Sequence, residues 1–247
     1  MEHFFKLLKL VERKAAFFRG KGYGSATIRQ EVKLVYKLLV KSPTLAIDIG
    51  GNVGDYAAEL RRRNKGLEIH IFEPSSTNIS KLTARFANDR LIKTCPYAVS
   101  DSHGEATLFS DAPGSGAGSL TLRRLDHFNV TFRHCEVINT IRFETYWKDV
   151  LEGRTIDIVK LDIEGHELSA LTGFGEAINS VRIIQFEFGG CNIDTRTFFQ
   201  DFWYFFQDHH YEVFRITPLG AEKIHCYRET DEFFSTTNYI ARNQKTL

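Results

Sequence analysis

The 247-residue chain reads as an α/β domain on a mostly parallel sheet, and three stretches carry that prediction. Residues 45–49 are an apolar run interrupted by Asp48. They lead into Gly50, Gly51 and Gly54, after which Tyr56, Ala57 and Leu60 recur at helical spacing. That is strand, glycine turn and helix, the opening of an open sheet that binds a nucleotide-like ligand. Residues 68–73 form a second short strand and end it on an acid, Glu73. Residues 156–162 are β-branched and carry Lys160 and Asp162 to their end, where Gly165 turns the chain. Polar groups at the C-terminal ends of parallel strands are where such sheets do their chemistry.

Composition narrows the class. With 43% hydrophobic residues the chain can bury one full core. A formal net charge of +1 supplies no basic field for nucleic acid. Cys95, Cys135, Cys191 and Cys226 are scattered, without metal-ligand spacing. No cleavable signal peptide is visible, and no run reaches the roughly eighteen apolar residues of a membrane span. A reduced, cytoplasmic protein is the expectation.

Taken in order, residues 3–19 place Phe4, Leu7, Leu8, Val11, Ala15 and Phe18 on one helical face, with five cations around the remainder. This helix is expected to pack on the main domain or on a second subunit. A peripheral seat on anionic membrane, or a cap over the substrate, are the functional alternatives. Thr27 is placed to cap a second helix reaching about Val40, and the division expected is 1–42 as a helical segment before a domain at 43–247. Glu73 lies about twenty residues past the glycine turn, where an acid bonds ribose hydroxyls. A helix over 77–87 and a strand over 91–98 follow. Ser100 and Asp101 then sit where an adenine edge would lie, or in a plain turn.

Residues 104–142 interrupt the alternation, with a strand near 105–109 and a glycine-rich loop over 111–119. A long loop in a compact domain is commonly functional. This one is expected to fold over the ligand, with Arg123, Arg124 and His127 facing the substrate. A strand over 136–142 and a short helix over 145–151 close the insertion. After the strand at 156–162, residues 167–180 read as one helix and 181–188 as a strand bearing Gln185 and Glu187. The aromatic stripe Phe198, Phe202, Phe205, Phe206 reads as core or dimer interface, and His209-His210 as a helix C-terminus. Strands over 211–217 and 238–242 complete the chain.

Glycine spacing separates the candidate ligands. A dinucleotide G-x-G-x-x-G ending on Gly51 and Gly54 would need its first glycine at Ile49. The sequence instead reads D-x-G-x-N-x-G from Asp48 through Gly50 and Asn52 to Gly54, which resembles motif I of class I S-adenosylmethionine-dependent methyltransferases. With F-E-P at 72–74, K-x-D-x-E-G-H-E at 160–167 and G-S-G-A-G-S-L-T-L-R-R-L-D-H-F at 114–128, it is similar to the FkbM-type methyltransferases. The likeness extends over about residues 25–242, through I-Q-F-E-F-G-G-C-N-I-D-T-R at 184–196 and T-N-Y-I-A at 237–241.

That resemblance implies a Rossmann-like class I methyltransferase fold, a mostly parallel seven-stranded sheet with helices on both faces and an antiparallel last strand. It implies S-adenosylmethionine as cofactor and O-methylation of a small molecule or carbohydrate, a sugar or glycan favoured. Asp48, Gly50, Gly51, Asn52 and Gly54 would hold the cofactor's amino-acid end and backbone, Glu73 its ribose, and Ser100 or Asp101 its adenine. Asp162 and His166 would lie where the methyl points, with His166 the better proton acceptor because its ordinary pKa is about 6.5. Glu187 joins the substrate side. A divalent ion on Asp162 and Glu187 would lower an alcohol's pKa, but the metal-free route ranks first. A non-catalytic, cofactor-binding partner is the alternative function, and a homo-oligomer is left open.

Overall fold

The computed structural model describes residues 1–24 and 26–245; Ser25, Thr246 and Leu247 lie outside the described residues. α1 (Glu2–Phe18) and α2 (Ile28–Leu38) come first, and β1 (Leu45–Ile49) follows Pro43. α3 (Asp55–Arg63), β2 (Glu68–Phe72), α4 (Ser76–Arg85) and β3 (Ile92–Cys95) repeat the strand–helix alternation. β4 (Ala98–Ser100), β5 (Gly104–Ser110) and β6 (His134–Arg142) belong to the insertion, which α5 (Phe143–Asp149) closes. β7 (Ile156–Leu161), α6 (Glu167–Gly173), β8 (Val181–Phe188), α7 (Cys191–Thr195) and α8 (Phe199–Asp208) follow. β9 (Tyr211–Thr217), β10 (Gly220–Ile224) and β11 (Thr237–Asn243) end the sheet.

The main sheet has eight strands in the order β10-β9-β11-β8-β7-β1-β2-β3. Pairing is parallel from β3 through β8, whereas β11 runs antiparallel to both β8 and β9. β1 and β7 are fully buried and lie side by side at the centre, so their C-terminal ends form one rim. Side chains alternate across β1. Ile47 and Ile49 join Phe72, Phe143 and Phe174 in one core layer, while Ala46 faces Val32, Tyr56 and Leu60 in the other. Of the aromatic stripe, Phe202 and Phe206 are fully buried in the core with Phe186 and Phe188, Phe205 is partly buried against it, and Phe198 is about half exposed, its neighbour Phe199 being buried in its stead.

Several boundaries differ from expectation for local reasons. The expected seven strands gain an eighth, β10, which pairs only with β9 and has few apolar residues to announce it. The strand expected over 91–98 divides, because β4 leaves the main sheet to pair with β6 in a second sheet, β4-β6-β5. The helix expected over 167–180 breaks after Gly173. Gly175 takes φ +48°, and a 3-10 turn runs on to Ser180. Thr27 occupies the N-cap position of α2 but makes no capping bond; its hydroxyl donates to Glu31. α1 does not pack on the domain as expected, since it has no buried residue.

Candidate functional site

The rim of β1 is shaped by close backbone approach. A Cβ on Gly50, at φ +81°, would lie 1.9 Å from the carbonyl oxygen of Asp162, so only glycine lets the two strand ends meet. The amides of Gly50 and Gly51 donate to the Phe72 carbonyl at 2.9 and 3.1 Å, which fastens the turn to β2. Glu73 then completes it. Its carboxylate accepts from the amide of Asn52 at 2.8 Å and from the amide of Ser75 at 3.0 Å. Burial raises the Glu73 pKa, against the pull of these amides. Each oxygen keeps a lone pair for a further donor. Asn78 donates to the Asn52 side chain at 3.1 Å and joins this rim.

At the end of β7, Lys160 donates to Asp162 at 2.8 Å and lies over the Tyr56 ring. The carboxyl of Glu167 ties the following turn, accepting from the amides of Ile163 at 2.9 Å and Gly165 at 3.1 Å. Burial pushes its pKa up to about 8. That turn presents His166, whose Nε2 lies 3.0 Å from the Thr121 hydroxyl; burial lowers its pKa, so the ring is neutral near pH 7. Asp162, Glu164 and Glu187 bring carboxylate oxygens within 4.8 Å of one another. Burial and the neighbouring Asp162 raise the Glu164 pKa to about 7 despite Arg123, and Glu187 is raised by the same two causes.

The glycine-rich loop lies beside this rim, with Ser115, Gly116 and Gly118 on the cavity wall. A Cβ on Gly116 would come within 2.9 Å of the Asn52 amide nitrogen. Ser119 donates to the Glu164 carbonyl at 2.8 Å, and a bridge between Phe109 and Ser119 anchors the loop's return. Together these segments enclose a cavity. Gly50, Asn52, Glu73, Asp162 and His166 are on its wall, with Phe72, Val99, Leu108 and Leu120 supplying apolar surface. A separate open cleft of about 1330 Å³ reaches Glu164 and Glu187 from the side of α1.

A profile of the Methyltransferase FkbM domain matches residues 48–215, from the glycine turn to β9. The chain belongs to the FkbM methyltransferase family. Among solved structures, methyltransferase FkbM from Methylobacillus flagellatus KT is similar at 18% identity and TM-score 0.48, over 83% of this chain and 45% of that one. The chain thus spans less than half of that relative's length. WbdD is similar at 9% identity and TM-score 0.50, over 88% of this chain and 40% of that one. Fibrillarin from Aeropyrum pernix, with natively bound S-adenosyl-L-methionine, gives 10% identity and TM-score 0.46 over 87% of this chain and 75% of its own. At such identities the likeness is one of fold. No curated protein matches.

The FkbM domain is a class I S-adenosylmethionine methyltransferase domain, and the residues present fit that cofactor. Apolar walls from Val99 and Leu108 suit a flat base, and the Glu73 oxygens stand on the same wall with accepting capacity to spare. Not every expected residue reaches the cavity. Asp48 is fully buried on the opposite face of β1, in register with Lys160, and its carboxyl has no hydrogen-bond partner among the described residues. Gly51 and Gly54 serve packing, since Cβ atoms there would meet Ile71 and the Leu82–Phe86 pair. The Ser100 hydroxyl and the Asp101 amide bond Ser169 of α6, while Tyr97, Ala98 and Val99 line the cavity.

On the substrate side the lid's cations divide. Arg123 bonds Glu164 at 2.7 Å and Asp194 at 3.0 Å, so it braces the cleft wall. Arg124 is exposed and pairs with Asp126, while His127 is exposed against Phe128; neither lines the cavity or the cleft. Glu187 lines the cleft. Sequence reasoning missed Asn78, Tyr97, Thr121 and Glu167. Glu167 stood inside the K-x-D-x-E-G-H-E stretch and Thr121 inside the stretch at 114–128, so both could have been weighed; nothing local marks Asn78 or Tyr97.

Proposed function

We propose that this FkbM domain transfers the methyl group of S-adenosylmethionine to a hydroxyl of a small molecule or carbohydrate, a sugar or glycan favoured. One observation carries the reading: Asp162 and His166 line the same cavity as Asn52 and Glu73. The bound cofactor supplies a methyl carbon already electrophilic on its sulfonium. What remains for the chain is to hold, orient, exclude water and take one proton.

Gly50 and Asn52 would hold the cofactor's amino-acid chain against their turn, and Glu73, with accepting capacity to spare, would hold its ribose hydroxyls. The lid over 111–119 keeps water from the reacting atoms. His166 accepts the acceptor's proton at a ring nitrogen, because its lowered pKa keeps it neutral at pH 7. Asp162, held by Lys160, orients the hydroxyl. Glu164 and Glu187, with raised pKa values, can both donate to and accept from further hydroxyls, which suits a polyol. The metal-free route remains first, so turnover is expected to persist in EDTA.

Calorimetric titration with S-adenosylhomocysteine, with NAD as control, tests the reading. Wild type should bind the homocysteine cofactor and not NAD, and Glu73→Ala should weaken it about tenfold or more. Binding of NAD alone would sink the proposal. Methyl transfer to glycan hydroxyls is then assayed with labelled cofactor.

A further inference from the structure

Helix α1 is apolar along one side and yet buries nothing. Phe4, Leu7, Leu8, Val11 and Phe18 are each between 47% and 61% exposed, and no residue of the helix is buried. Its far end is nevertheless fixed to the domain. Arg19 pairs with Glu222 at 2.8 Å, Lys21 donates to the Thr230 carbonyl, and the Phe17 ring stands edge-on to Tyr23 at 5.3 Å. An apolar face held out in this way needs a covering surface.

Charge selects which one. Residues 2–19 carry Lys6, Lys9, Arg13, Lys14 and Arg19 against only Glu2 and Glu12, in a chain whose whole net charge is +1. A second copy seated on the apolar face would add as many cations again and leave the excess unneutralised. An anionic lipid surface complements them while accepting the phenylalanines and leucines between headgroups. No helix among the described residues is long and apolar enough to cross a membrane, so a seat in the interface is the geometry left to α1.

We infer that α1 docks this domain on an anionic membrane surface, its apolar face toward the acyl chains and its cations among the headgroups. Lys9 and Arg13 also line the cleft that reaches Glu164 and Glu187. The inference is independent of the acceptor proposed above.

Sedimentation of the full chain with vesicles tests it. Phosphatidylcholine alone is compared with phosphatidylcholine holding about a third phosphatidylglycerol, at low and high salt. Binding should be at least about tenfold stronger to the anionic vesicles and fall with salt. Leu8→Asp/Val11→Asp should lose about tenfold or more of that binding, with unchanged circular dichroism and S-adenosylhomocysteine affinity, because neither side chain is buried. Equal sedimentation of wild type and the double variant would overturn the inference. So would a dimer, seen by light scattering, that the double variant abolishes while vesicles bind neither protein.

Discussion

Asp48 shows how one side chain can carry two readings. In the sequence it opens the D-x-G-x-N-x-G motif and resembles a ligand group; in the fold it lies under the glycine turn, away from the cavity. Burial pushes its pKa up to about 6, with Lys160 pulling the other way. The folded state therefore holds its proton more tightly than the unfolded chain. That stability is fully present below the ordinary carboxylate value and is lost as pH rises through about 6. Urea unfolding should show wild type losing about 2 kcal/mol between about pH 4 and pH 7 through this group, a loss missing from Asp48→Asn. His166 is a different case, since it touches the cavity. His166→Asn should lower kcat about a hundredfold or more while S-adenosylhomocysteine affinity stays within about threefold. The wild-type pH–rate profile should rise through a value below the usual 6.5 or so, and that limb should vanish in the variant.

Among the elements, the lid and the β7–α6 turn depend on each other. Ser119 and Thr121 fasten the lid to the turn that carries Glu164 and His166, so closing the loop also orients the proposed base. Gly116 is the contact point over the glycine turn, where a side chain would press on Asn52. Gly116→Val should hold the lid off this rim. The expected result is a KM for S-adenosylmethionine raised about tenfold or more with thermal stability almost unchanged, since Gly116 lies outside every helix and strand. A KM equal to that of wild type would mean the loop does not close over the cofactor.

In the whole molecule, the two N-terminal helices part company. α2 is integral: Val32 and Val35 are fully buried, and Glu31 accepts from Gln185 of β8 and Asn238 of β11 beneath the sheet. Within the helical segment 1–42, then, only α2 contributes to the core. Removing residues 2–18 should shift Tm by no more than about 3 °C, since few stabilising contacts leave with them. Truncation through residue 38 should prevent folding, because it opens the core layer under Tyr56 and Leu60.

Local sequence was enough for the strand–glycine turn–helix opening, the parallel centre of the sheet and the family, and for placing Glu73, Asp162 and His166 near strand ends that line one cavity. These are local matters: strand periodicity, turn chemistry and the acid at a strand end lie within a few residues of one another. Contacts between distant segments settled that Asp48 faces away from the cavity, that Ser100 and Asp101 bond Ser169, and that Arg123 is bound by Glu164 and Asp194. They also brought Thr121 to His166, 45 residues apart in the chain. Such partners are chosen by packing between distant segments, and no spacing along the chain encodes which side of a strand faces a cavity until its neighbours are in place.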